Sequence, residues 1–155
     1  MAEKPEFLYP GIISFPAGQG QVLDHFNSHG RCVSNQTYIS IIDDDESFRD
    51  AISSLVHLLG YRVHAFPTAE AFLTSEMAER TSCVITDIQM PGMSGIELHR
   101  RMLASGRSTP FIFVTAFPDE ATRARALRNG AIGYLGKPMQ EAGLVDCLEQ
   151  AVSRR

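Results

Sequence analysis

The chain has 155 residues, 44% of them hydrophobic and 21% charged, which suits one globular domain with a sizeable core and leaves no room for a second large one. A formal net charge of -4 gives no electrostatic footprint for nucleic acid or an anionic membrane. No apolar run approaches membrane-spanning length and the N-terminus lacks the layout of a secretory leader, so a cytoplasmic protein is expected.

Residues 1–37 are interrupted by Pro5, Pro10, Gly11, Pro16, Gly18, Gly20 and Gly30, and read as a mostly irregular extension ahead of a domain over 38–155. Within it, Val22, Leu23 and Phe26 have helical spacing and predict one short amphipathic turn in 21–29. From Tyr38 onward, strand-like and helix-like periods alternate five times, the pattern of an α/β domain with a parallel sheet. A strand over 38–42 is followed by a helix over 46–59, with Phe48, Ile52, Leu55, Val56 and Leu59 on one face and Gly60 as its stop. A strand over 62–66 precedes a helix capped by Thr68 that carries Ala71, Phe72 and Met77. The nearly all-apolar stretch 83–87 predicts a central strand covered on both faces. Ser94 and Glu97 form a capping box opening a helix that ends near Gly106. A strand over 110–115, an Arg-rich helix over 119–129, a short strand over 133–135 and a helix over 139–152 complete the chain. The three cysteines, Cys32, Cys83 and Cys147, lack metal-ligand spacing and read as reduced thiols.

Three of these strands run into residues suited to phosphoryl chemistry: Asp43-Asp44-Asp45, Asp87, and Lys137-Pro138. In a parallel α/β sheet the carboxyl ends of the strands share one edge, where ligands bind, so these groups can meet. Carboxylates crowded there repel and raise the proton affinity of at least one of them unless a cation compensates. Mg2+ suits the task, because it takes one or two carboxylates plus phosphate oxygens and keeps several waters.

Four segments carry a family resemblance: Ile-Ile-Asp-Asp-Asp-Glu from Ile41, Thr-Asp-Ile-Gln-Met-Pro-Gly-Met-Ser-Gly from Thr86, Phe-Val-Thr-Ala-Phe from Phe113, and Gly-Ala-Ile-Gly-Tyr-Leu-Gly-Lys-Pro from Gly130. With them, about 39–152 resembles the receiver domain of bacterial response regulators. The resemblance implies a flavodoxin-like fold: a five-stranded parallel sheet of order 2-1-3-4-5 with helices on both faces. It implies that Asp87 accepts a phosphoryl group from a histidine kinase in two-component signalling. Mg2+ would be held by Asp44, Asp87 and the Gln89 backbone carbonyl, with Asp43 acting through water. Lys137 would pair with Asp87 at rest and with the phosphoryl group afterward, across a cis Lys137-Pro138 peptide. Thr115 would bond the phosphoryl group, and Tyr134 would be the aromatic switch that follows it.

The output implied is protein contact through the face of the fourth helix, fifth strand and fifth helix. There Arg123, Arg125 and Arg128 oppose Glu141, Asp146 and Glu149, a pattern compatible with a phosphorylation-dependent homodimer. A stand-alone receiver is the expectation, since the sequence stops at Arg155. Enzymatic activity is not implied beyond slow self-dephosphorylation, with the bulky Phe117 beside the path of an attacking water. Two rival readings stand beside this one. One is a receiver-like module that binds partners without phosphorylation; the other is a haloacid-dehalogenase-type phosphatase with Asp43 as nucleophile.

Overall fold

Alternating apolar residues that must bury themselves on two faces determine the architecture. The computed structural model describes residues 25–26, 32–33 and 37–154. Its sheet strands are β3 (Tyr38–Ile42), β4 (Arg62–Phe66), β5 (Cys83–Asp87), β6 (Phe111–Thr115) and β7 (Gly133–Gly136). They are parallel and lie in the order β4-β3-β5-β6-β7, which is 2-1-3-4-5 counted within the sheet. Ile39, Ile41, Ile85, Ile112 and Val114 belong to one core with Ile52 and Val56 of α1 (Glu46–Leu58) and Leu144, Leu148 and Ala151 of α6 (Glu141–Ser153). The alternate positions, Ile42, Val84, Phe111 and Phe113, face a second core. Its helices are α2 (Ala69–Leu73), α3 (Met77–Arg80), α4 (Gly95–Ala104) and α5 (Glu120–Arg128). β5 and β6 are buried along their whole length, as strands covered on both faces must be.

Helix starts are fixed by side-chain caps. Asp45, Thr68, Ser94 and Asp119 accept hydrogen bonds from the backbone N–H groups of Phe48, Ala71, Glu97 and Thr122, each satisfying a donor the helix cannot pair internally. Of the predicted capping box, Ser94 supplies its half; the Glu97 carboxylate pairs with Arg100 and Arg101.

Two expectations change. The single helix predicted after Thr68 is two, α2 and α3. At the break the Thr74 hydroxyl donates to the Glu70 and Ala71 carbonyls and Ser75 to that of Phe72, while Ser75 Oγ accepts from Met77 N. Such local bonds compete with the helical ladder. In the extension, β1 (His25–Phe26) and β2 (Cys32–Val33) pair antiparallel, His25 opposite Val33 and Phe26 opposite Cys32. The helical turn predicted over 21–29 is therefore extended at His25–Phe26, because so short a helix cannot repay its nucleation. The rest of 1–36 lies outside the described residues.

The free thiols of Cys83 and Cys147 are buried, and burial pushes both pKa values up, which keeps them protonated and inert. His99 of α4 is also buried, its ring 4.6 Å from that of Phe111 and 5.5 Å from that of Phe113. Burial holds its pKa below the ordinary 6.5, so the unfolded chain binds the proton more tightly than the folded one. Stability is therefore complete above the ordinary value and is lost as pH falls through it toward the lower folded value. His99→Phe is expected to melt a few degrees above the natural protein at about pH 5 and to lose that advantage at about pH 8. Thermal unfolding at the two pH values checks this.

Candidate functional site

The strand ends deliver their polar residues to one edge. Ile42 pairs with Thr86 and Asp87 with Val114, so Asp43 and Asp87 leave neighbouring strands side by side. The ladder continues one rung past the strands: Asp43 N donates to Phe66 O (3.2 Å), Ile88 N to Val114 O (3.1 Å) and Lys137 N to Thr115 O (2.8 Å). The cis peptide at Lys137-Pro138 follows immediately.

Lys137 reaches back over this edge. Its Nζ donates to Asp43 Oδ2 at 2.9 Å and to Asp87 Oδ2 at 3.2 Å, with only 17% of its side chain exposed. The remaining oxygens are also engaged, Asp43 Oδ1 by Asp45 N (2.9 Å) and Asp87 Oδ1 by Gln89 N (3.1 Å). Asp43 is 1% exposed, and Arg49 Nη1 donates to its backbone carbonyl at 2.7 Å.

One ammonium facing two carboxylates leaves the charges unbalanced. Burial raises the Asp87 pKa above its ordinary value, and the nearby Asp43 charge adds to this; the Lys137 hydrogen bond offsets only part. Burial works against the Lys137 charge, but the bonds and charges of Asp43 and Asp87 outweigh it, so the lysine stays protonated. One carboxylate oxygen from each of Asp43, Asp44 and Asp87 lies within 4.8 Å of the others, and Asp44 is open to solvent. This all-oxygen, uncompensated donor set fits a small hard divalent cation.

The family model for the response regulator receiver domain matches residues 39–149. The chain belongs to that family. It is 35% identical over 117 residues to the response regulator protein TmoT of Ectopseudomonas mendocina, covering 76% of this chain and 53% of TmoT. It is 31% identical over 145 residues to TodT of Pseudomonas putida, covering 94% of this chain and 60% of TodT. Among solved structures, the response regulator StyR superposes with a TM-score of 0.71 at 36% identity, over 76% of this chain and 60% of that one. A receiver domain protein from Clostridium thermocellum gives 0.69 at 26% identity, over 76% and 95%. The chain thus spans only 53% to 60% of the length of these two curated relatives.

Receiver domains are the signalling modules of two-component systems, and the other predicted positions of this receiver differ in burial and partners. Thr115 is buried at the end of β6, its Oγ1 accepting from Phe117 N at 3.1 Å. Phe117 itself is 70% exposed. Tyr134 is half-buried against the second core, and its hydroxyl accepts from Asp119 N (3.1 Å) at the start of α5. Gln89 is exposed beside Asp87. Of the charged residues on the predicted output face, Arg123, Arg125, Arg128, Glu141 and Asp146 are exposed, and Glu149 lies near enough to Tyr61 to raise its pKa, after the larger effect of burial.

Three contacts escaped sequence reasoning. Lys137 binds Asp43 as well as Asp87. Glu70 Oε1 accepts from Met93 N at 2.9 Å, tying the loop after β5 to α2; its bonds to its own N–H and that of Met93 hold its pKa down. Phe48, legible only as a helix-face apolar residue, places its ring 4.0 Å from Lys137 Nζ. No helix among the described residues is long and apolar enough to cross a membrane.

Proposed function

We propose that this receiver accepts a phosphoryl group on Asp87 from a histidine kinase and that the modified site switches a protein-interaction surface. The observation that supports this best is the convergence of Asp43, Asp44 and Asp87 with the Lys137 ammonium at one sheet edge. A carboxylate oxygen of Asp87 attacks phosphorus; the new O–P bond forms as the P–N bond of the donor phosphohistidine breaks, its electron pair remaining on the imidazole nitrogen. Lys137 releases Asp87 Oδ2 and follows the developing charge on the phosphoryl oxygens. Asp43, Asp44, Asp87 and the Gln89 carbonyl would hold Mg2+, which when bound neutralises charge around the transferred group. The domain over 38–155 is the working unit, and the chain acts in the cytoplasm as a signalling protein rather than an enzyme.

Thr115 and Tyr134 carry the readout. The phosphoryl group, with a charge of about -1.5 to -2 at neutral pH, recruits the Thr115 hydroxyl and biases Tyr134 between two positions. The face of α5, β7 and α6 then meets a downstream protein or a second copy of the chain, without direct contact to nucleic acid or membrane. Self-dephosphorylation is slow, with Phe117 beside the water's approach. The phosphatase reading loses support because the family model that matches residues 39–149 is that of the receiver domain, and because Asp43, at 1% exposed, lies deeper than Asp87 at 8%.

Incubation with Mg2+ and a small acyl phosphate should add one phosphoryl group by intact mass, and a chelator should prevent it. A folded sample that never gains the group would return the domain to a phosphorylation-independent binding module.

A further inference from the structure

The Lys137 ammonium has three N–H donors, and two are accounted for by Asp43 and Asp87. The Phe48 ring, with its centroid 4.0 Å from Nζ, lies well within the range in which the negative face of an aromatic ring attracts a cation. The ring is also tied to the acid loop. Phe48 N donates to Asp45 Oδ1 at 3.3 Å, Asp45 N donates to Asp43 Oδ1, and Arg49 from the same helical turn donates to the Asp43 carbonyl. Asp43, the helix start and the ring are thus one stitched unit.

From this geometry we infer that Phe48 is a positioning residue for phosphoryl transfer: its ring holds the Lys137 ammonium over the carboxylates and keeps it over the site as it turns from Asp87 to the phosphoryl group. The inference rests on the phosphoacceptor reading above. A hydrogen bond to Asp87 must break before Lys137 can meet a phosphoryl oxygen. Attraction to a ring face is less directional, so it persists through that movement and spares the ammonium a solvated detour. Phe48 packs against the α1–α6 core as well, so simple truncation confounds packing with charge.

The deciding experiment replaces Phe48 with a series of increasingly fluorinated phenylalanines, which keep its shape while draining negative charge from its face. Phosphorylation rates with Mg2+ and a small acyl phosphate are followed by intact mass, and melting temperature is measured in parallel. The rate should fall stepwise along the series, by about three- to tenfold overall, with the melting temperature nearly constant. Phe48→Trp should retain the rate, and Phe48→Leu should slow it at least as much as full fluorination does. A flat fluorination series would overturn the role of Phe48 while leaving Asp87 as phosphoacceptor. Absence of label on the unsubstituted protein would overturn both.

Discussion

Asp87→Asn should yield a folded protein that takes up no phosphoryl group under conditions that label the natural chain, a loss of at least about a thousandfold in rate because a neutral amide replaces the anionic oxygen that attacks. The same variant should melt no lower than the natural protein when Mg2+ is withheld. Asp87 is buried beside Asp43, and a single ammonium must serve both carboxylates, so a neutral side chain of the same shape relieves repulsion and desolvation at once. Intact mass and thermal unfolding read the two effects separately. Full label on Asp87→Asn would move the phosphoacceptor elsewhere; a large drop in melting temperature would mean that Asp87 contributes more to stability than to signalling.

Gly95→Ala should be the most damaging single-methyl change. A Cβ there would run into the backbone carbonyl oxygen of Asp87 and lie 3.1 Å from both Asp87 C and Thr86 Cγ2. Neither side can yield cheaply, since Gly95 N donates to Ile88 O at 3.0 Å and joins the start of α4 to the residue just past β5. A loss of about 3 kcal/mol of stability is expected, with phosphorylation slowed at least about tenfold as Asp87 is displaced. Gly106→Ala is the control. Its φ of 81° makes alanine strained, but a Cβ meets nothing within 4 Å, so the cost should stay near 1 kcal/mol. Urea unfolding of the two variants gives the comparison, and equal losses would remove the argument from close approach.

What could be read from the sequence was whatever depends on local chemistry. Thr68 and Ser94 announce helix starts because capping needs one short polar side chain at one place, and the structure adds Asp45 and Asp119 in the same role. The strand over 83–87 betrays its central position by having no polar face. Asp87 and Lys137 were legible together because strand ends in a parallel sheet share an edge. Illegible features depend on side-chain reach across the fold. Nothing near Phe48 says that a lysine about 90 residues later will lie over its ring. Likewise the Glu70–Met93 bond joins residues 23 apart across two elements. The break between α2 and α3 was hidden by apolar spacing that suits one helix, while Thr74 and Ser75 redirected the backbone.

The ammonium of residue 137 meets acids lying 94 and 50 positions earlier in the chain. Synthesis therefore makes both acids long before their counter-charge, and the last strand, at the rim of the sheet, delivers it. A nascent or proteolytically clipped polypeptide that ends before β7 carries the acids without the cation that organises them. Under the proposed function, competence to accept a phosphoryl group would be a certificate of completed folding, since Lys137 reaches both acids only once that final strand has docked.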